Sequence, residues 1–288
     1  MNQLPLFDSA AMRWNQGRSV YRPSREPIDT AQFYVEQVSE RVARDFVITH
    51  HYSRSFPAAI ASFGLFQRTE SHSSRLSGVA VFSVSMQPRA ADAYGARGEP
   101  FCELGRFVLL DDVAGNGETW FLARALRQLG IVKQSATGGP KYTACLAYSD
   151  PLPRTDVLGN LTHLGHVGHI YGCSNAAYLG RSSPRSLWLT ADGRSLSQRA
   201  LSKLRTGDTG ARYAYQMLVE NGAPKIGPAE DSSAYVQRAL REGPFRKIRH
   251  RGNHAFIIPC GTHADRIRVR KLVDRGLPRP VTLDPVTP

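Results

Sequence analysis

The sequence predicts an α/β protein with a central mixed sheet flanked by helices and a basic extension towards its C-terminal end. Three observations lead there. Short apolar runs recur at 59–67, 76–87, 102–110, 142–148 and 186–190, the lengths of buried strands. Stretches with helical spacing stand among them at 29–45 and 119–129. Interleaving the two periods calls for helices laid on a sheet, and 288 residues suffice for a substantial core of that kind.

Taken in order, Met1 to Pro27 mixes Pro, Arg, Ser and Asn with few apolar residues and reads as a flexible arm. Phe33, Val35, Val38 and Val42 then follow at roughly helical spacing, with Asp29 or Thr30 as N-cap, so the first helix is placed over 29–45. His50-His51-Tyr52-Ser53 is a polar, aromatic loop closing at Pro57. The runs at 59–67 and 76–87 make a hairpin. The strand 102–110 passes through Asp111-Asp112-Val113-Ala114-Gly115-Asn116-Gly117 into a helix from Thr119, with Trp120, Leu122, Leu126 and Leu129 on its buried side and Gly130 as its end. The strand 142–148 ends at Ser149-Asp150-Pro151, and the strand 186–190 turns at Asp192-Gly193. The expected division is an arm (1–27), a catalytic core (28–193), a basic extension (194–276) and a tail (277–288).

The formal charge is +13 and the pI about 10, a balance that attracts phosphate backbones through counterion release. The charge is uneven: residues from Arg194 onward carry net +10 and those before it +3. Within the basic part, 198–204 and 212–220 read as two short helices separated by Thr206 to Gly210. No apolar stretch is long enough to span a bilayer and the N-terminus lacks the pattern of a secretory signal, so a cytoplasmic protein is expected. Cys102, Cys145, Cys173 and Cys260 lack paired spacing and read as reduced thiols.

Two motifs bear on chemistry. Val113 to Glu118 is a glycine-containing turn between strand and helix, where Gly115, Asn116 and Gly117 either present N–H groups to a pyrophosphate or simply make a tight connection. His163, His166, His169 and Cys173 recur at helical intervals, as a metal site requires, but Gly165 and Gly168 interrupt that helix; no metal ligand is assigned and a metal requirement is left open. Ser149 lacks the Gly-x-Ser-x-Gly elbow of a hydrolase.

The succession of strand 102–110, loop, helix 119–129 and strand 142–148 resembles the acetyl-CoA-binding core of GNAT acyltransferases. Five strings narrow the resemblance: His51-Tyr52-Ser53, Glu103-Leu104-Gly105-Arg106, Ser149-Asp150-Pro151, Gly165 to Tyr171, and Asn175-Ala176-Ala177-Tyr178-Leu179-Gly180. In order and spacing, over about residues 50–183, they are similar to the phage Mom family of DNA-modification proteins. That family implies conversion of the exocyclic amine of adenine in double-stranded DNA to a carbamoylmethylated amine, protecting phage DNA from restriction. The resemblance implies acetyl-CoA or a related acyl-CoA, held by Leu109, Val113, Gly115, Asn116, Gly117, Asn175 and Tyr178.

On this reading Asp150 is the base that takes the proton of a weakly nucleophilic amine, beside Ser149; a capping Asp before Pro151 is the alternative. Tyr171 donates a proton to the departing thiolate, or is a core aromatic. Arg106 holds the acyl carbonyl or a phosphate, or pairs with Glu103. Tyr52 stacks on a flipped base, or packs ordinarily. Two other functions stay open: a GNAT enzyme acting on a protein, tRNA or small amine, and a non-catalytic DNA-binding regulator with 198–220 as a helix-turn-helix. Simple transfer from acetyl-CoA leaves an acetyl amide, so a carbamoylmethyl product needs a further nitrogen source or step. Oligomeric state and sequence context are not legible here.

Overall fold

The structure, a computed structural model, describes residues 10–15, 18–23, 26–69 and 73–286. Its elements in chain order are β1 (Ala10–Asn15), β2 (Arg18–Pro23), β3 (Phe33–Gln37), α1 (Glu40–His50), β4 (Ala59–Arg68), β5 (Ser74–Ser83), β6 (Phe101–Leu109), α2 (Gly117–Val132) and β7 (Ala144–Ser149). Then come β8 (Arg154–Thr155), β9 (Leu161–His163), α3 (His169–Cys173), β10 (Ala177–Arg181), β11 (Arg185–Leu189), α4 (Gln198–Thr206), α5 (Ala211–Glu220), α6 (Ser232–Glu242), β12 (Arg246–His250), β13 (His254–Pro259) and α7 (His263–Val273). They fold as two compact units. One is made of 1–151, 165–182 and 253–283, the other of 152–164, 183–252 and 284–288.

The first unit holds a seven-stranded mixed sheet in the order β10-β13-β7-β6-β5-β4-β3, so the predicted α/β class with a central mixed sheet is the fold observed. Every neighbouring pair is antiparallel except β6 and β7. One sheet face is covered by α2, whose Phe121, Leu122, Ala125 and Leu129 are buried with Phe63, Phe82 and Phe256, and by Tyr171 of α3. Each such large apolar group contributes about 1.5–3 kcal/mol on burial. Ala43, Phe46 and Val47 of α1 cover Val79, Val81 and Val108 on the opposite face. There Val269 and Val273 of α7 also pack on Leu146, Leu179 and Ile257.

Several boundaries depart from the sequence reading. Over 29–45 the chain makes a single 3₁₀ turn capped by Asp29, then β3, and only then α1, whose N-cap is Ser39. Phe33 and Val35 read as the start of a helix, but the backbone from Phe33 to Gln37 pairs with β4. Gly130 lies inside α2, which runs on to Val132. The expected arm contains the hairpin β1–β2; residues 1–9, 16–17 and 24–25 lie outside the described residues. Arg13 of that hairpin is buried against Glu118 of α2, Nε to Oε1 2.6 Å. The expected basic extension, 194–276, is shared between the two units, because the apolar Phe256-Ile257-Ile258 forms β13 inside the sheet and α7 packs behind it.

The second unit contains the helices α4, α5 and α6, packed around Leu201, Leu204, Leu218, Tyr235 and Leu240, and the antiparallel pair β11–β12. The helices expected over 198–204 and 212–220 are present as α4 and α5. The sequence reading had no counterpart for α6, which starts at an Asp231 N-cap accepting from Ser233 and Ala234.

Candidate active site

β6 and β7 are hydrogen-bonded only where Phe101–Glu103 lie beside Ala144–Leu146. Past that point β6 stays with β5 as far as Leu109, and β7 stays with β13 as far as Ser149, so the two parallel strands part towards their carboxyl ends. In open α/β sheets ligands bind beyond the carboxyl ends of strands where neighbours diverge. Glu103 stands at the last shared position, and Ser149 and Asp150 end one branch.

The loop after α1 reaches this parting because β6 leaves it room. Gly105 is the extra residue of a bulge, with Leu104 opposite Phe82 and Arg106 opposite Val81. A Cβ at Gly105 would lie 2.4 Å from Ser83 Oγ and 2.9 Å from Pro57, so only glycine admits that approach. The bulge also moves Arg106 to the sheet face that carries Val81, away from α2. Strict alternation from Cys102 and Leu104 would have put it on the α2 face.

Arg106 Nε donates to the Ser55 carbonyl at 2.8 Å and its NH2 to Ser55 Oγ at 2.6 Å. Ser55 continues to Ser53 Oγ at 3.3 Å, and Ser53 to His51 Nδ1 at 2.8 Å. Arg106 therefore fastens the loop that carries Tyr52. The Tyr52 ring stacks on His51 with centroids 4.2 Å apart, and the phenol lies within electrostatic reach of both Arg106 and Tyr171.

Glu103 was read only as a structural partner of Arg106. Burial pushes its carboxyl up to about 7, opposed by a backbone hydrogen bond from Met86 and by the Arg106 charge. The available signal was an acid inside an otherwise apolar run, between Cys102 and Leu104. A raised carboxylate is protonated in the folded chain while the unfolded chain has already ionised. The resulting destabilisation is absent below about pH 4.5, accumulates up to about pH 7 and is constant above it, amounting to about 3 kcal/mol. Glu103→Gln should melt with the native protein at pH 5 and above it at pH 8. Parallel pH dependence of the two Tm values would rule this out.

On β7, Cys145 and Ala147 face the α2 side, and alternation places Ser149 there as well. Ser149 Oγ is fully buried and has no hydrogen-bond partner among the described residues. Asp150 is half-buried, and its carbonyl accepts from His166 N–H at 2.8 Å, which fixes the backbone at the strand end. Tyr171 is buried against Phe256, centroids 5.1 Å apart, and its hydroxyl donates to the Tyr148 carbonyl at 3.4 Å; burial raises its pKa strongly. Thus Asp150, Ser149, Arg106 and Tyr52 belong to the strands and loops around the parting, and Tyr171 to helix α3 beside them. Tyr178 is on β10, two strands beyond β7, with its hydroxyl 2.8 Å from His254 Nδ1. Asn175 is exposed in a left-handed turn, φ 60°, and its carbonyl accepts from Arg270.

In the turn 113–117, the expected pyrophosphate cradle, the amide donors of Gly115, Asn116 and Gly117 are already engaged. Gly115 N–H donates to Glu26 Oε2 at 3.3 Å, Asn116 N–H to the Glu26 carbonyl at 3.2 Å, and Gly117 N–H to Ala114 at 2.9 Å. Asn116 Oδ1 accepts from Ile28 at 2.7 Å. A carboxylate and the chain leading into β3 occupy the donors a phosphate would need. Leu109 and Val113 are buried in the core, and Gly117 is required because a Cβ there would lie 2.8 Å from Val113. As held here, the turn does not fit a pyrophosphate.

No group of three or more His, Cys, Asp or Glu side chains suited to a metal occurs among the described residues. His169 and Cys173 approach to 3.4 Å within α3. All four cysteines are free. No helix among the described residues is long and apolar enough to cross a membrane.

Curated protein sequences yield no match to the chain. Among solved structures it is similar to a tandem GNAT protein from the clavulanic acid biosynthesis pathway, solved without acetyl-CoA. That likeness has 10% identity and a TM-score of 0.38, covering 80% of this chain and 99% of the other. The model of the Mom protein family matches residues 32–227, which takes in the Tyr52 loop, both branches of the parted sheet and the helices through α5. This chain belongs to the Mom protein family.

Proposed function

We propose that this protein is a transferase that modifies the exocyclic amine of adenine in duplex DNA, leaving a carbamoylmethyl group. The observation that carries the reading is the gathering of Tyr52, Arg106, Asp150 and Tyr171 around the parting of β6 and β7, within the region matched to the Mom family. An amine in a base pair is shielded by stacking, so the adenine must be turned out of the duplex before it reacts. The Tyr52–His51 stack offers an aromatic surface for such a base, and Arg106 keeps its loop in place.

When the adenine nitrogen bonds to the incoming carbon it must lose one proton. Asp150 is assigned that proton, because its backbone is held on one side by the β7 ladder and on the other by His166. A carboxylate also accepts a hydrogen bond from an amino group before transfer, which orients the base. Tyr171 is assigned the opposite task of supplying a proton to the leaving group, as its phenol stays protonated through the neutral range. With an acyl-CoA donor, which rests on the family resemblance, the bond from the adenine nitrogen forms as the carbon–sulfur bond breaks and the thiolate takes the Tyr171 proton. That step leaves an acetyl amide, and the carbamoylmethyl group requires in addition a nitrogen donor and a two-electron oxidant. Glu26 holds the turn where the CoA pyrophosphate was expected.

Mass spectrometry of nucleosides from DNA of cells expressing the protein tests this reading. The expected result is a new adenine-derived nucleoside with the mass of a carbamoylmethyl adduct, absent from an empty-vector control. Unmodified adenine in cells that hold folded protein would overturn it, and acylated protein or tRNA in the same cells would identify the acceptor instead.

A further inference from the structure

The cations of the second unit fall into two groups. On α6, Arg238 is bound by Glu230 at 2.7 Å and Glu242 at 3.3 Å, and Arg241 by Glu242 at 3.0 Å. Arg199 and Arg205 of α4, Arg212 of α5, and Lys247 and Arg249 of β12 form no ion pair among the described residues. The nearby Asp208 accepts from Thr206 at 2.7 Å instead. One part of the unit has its charge neutralised internally and another keeps it available to a polyanion.

The available charge lies on a recognisable frame. α4 and α5 are joined by only Gly207–Gly210, whose two glycines have φ of 69° and 99°, conformations that give a short, sharp reversal. Two helices joined through such a turn make a helix-turn-helix. α6 closes the core behind them. On α5, Ala214 and Leu218 face that core, while Arg212, Tyr213 and Gln216 are exposed at spacings of three and four residues and so share one face. Tyr213 is 63% exposed, an unusual position for a large aromatic without a partner. The start of α5 has no side-chain cap: Ala211 N–H donates to the Asp208 carbonyl at 2.9 Å, and the N–H groups of Arg212 and Tyr213 stay open to an acceptor. On β12, Lys247 and Arg249 alternate outward against buried Ile248 and His250.

We propose that α4–α5 is a helix-turn-helix that docks on duplex DNA, with α5 in the major groove. Arg212, Tyr213 and Gln216 meet base edges, while Arg199, Arg205, Lys247 and Arg249 hold phosphates. This rests on the reading of duplex DNA as substrate and adds the surface that engages it. Helix-turn-helix units read bases from the N-terminal part of the second helix, where Arg212, Tyr213 and Gln216 lie. A glutamine there pairs with the N6 and N7 edge of adenine and an arginine with O6 and N7 of guanine, so the protein acquires a sequence preference outside the reacting base. A-form RNA does not admit a helix to its deep, narrow groove, which makes duplex RNA the discriminating competitor.

The test uses the full chain and a short labelled duplex, with fluorescence anisotropy read across a salt series. Circular dichroism checks the fold of each variant. Arg212→Ala with Gln216→Ala should weaken binding roughly tenfold or more and relax the sequence preference. Arg199→Ala with Arg205→Ala, on the other helix, should lower the salt slope by about two, whereas Arg241→Ala should bind as the native protein does. Native affinity in both double variants, failure of the native chain to bind duplex DNA, or equal competition by duplex RNA would each overturn the proposal. Nucleoside analysis in parallel separates it from the function above. Adenine modification with unaltered variant binding removes this surface and keeps the activity; duplex binding lost in the variants without any modified adenine does the reverse.

Discussion

Asp150→Asn protein, folded and still able to bind duplex DNA, is expected to modify adenine roughly 10²- to 10⁴-fold more slowly than the native chain, the usual worth of a placed general base. The change is nearly isosteric. An Asn side chain still accepts a hydrogen bond from an amino group through its carbonyl, but at neutral pH it cannot take the proton. Backbone contacts that fix this position, the β7 ladder and the Asp150 carbonyl to His166, do not involve the carboxylate and should survive. The quantity to measure is the initial rate of adduct formation by nucleoside mass spectrometry, beside the affinity for unmodified duplex. A native rate in the Asn variant would return Asp150 to the role of a loop-capping residue and leave the base to be found among its neighbours.

Arg13→Ala is expected to cost about 3–5 kcal/mol of stability, the penalty of leaving one charge of a buried pair without its partner. The side chains of Arg13 and Glu118 are 2% and 4% exposed, and Glu118 Oε2 already lacks a hydrogen-bond partner among the described residues. Arg13 also donates to the carbonyls of Leu110 and Ala114, which would keep only their bonds from the Val113 and Gly117 N–H groups. Burial raises the Glu118 pKa and the Arg13 charge lowers it, so removing Arg13 drives Glu118 towards the neutral acid. Replacing both residues by apolar ones of similar volume, Arg13→Met with Glu118→Leu, should recover most of the loss. Denaturant melts of the three proteins decide the matter; an Arg13→Ala midpoint within error of the native one would mean that the hairpin contributes nothing to the fold.

The strands were legible because buried strands are written as local apolar runs, and β4, β5, β6, β7 and β11 fall within a few residues of their expected places. What failed depended on partners distant in sequence. Phe33 and Val35 fit either period, and pairing with β4 decided for a strand. The apolar Phe256-Ile257-Ile258 stood among basic residues, and nothing local tells that it pairs with Ala177-Tyr178 and Leu146-Ala147. The same holds for the site. Tyr52, Ser149, Asp150 and Tyr171 were nominated in the sequence and lie around the parted strands. The bulge that turns Arg106 to the other face, the Ser55 contacts that occupy it, and the carboxylate of Glu26 on the Gly115 amide are three-dimensional facts. The capping signals of α6 and α7, Asp231 and the Thr262–Asp265 box, are local and stand in the sequence itself.

The place of β13 bears on how the protein is made. A nascent chain that has emerged only as far as residue 252 holds β7 and β10 with no strand to join them, each with an open edge towards the other. Such edges cross-pair readily with other chains, so the interval in which translation passes through residues 183–252 is the hazardous one. The same geometry dictates how the protein should be dissected. Clipping it from the C-terminal side removes an interior strand of the sheet, whereas 183–252 leaves and rejoins the first unit at Ser182 and Asn253, two residues already joined by backbone and side-chain hydrogen bonds. A bridge between them keeps that sheet whole provided that 152–164, whose Leu152 is buried with Leu187, Leu189 and Ile248, is removed with it.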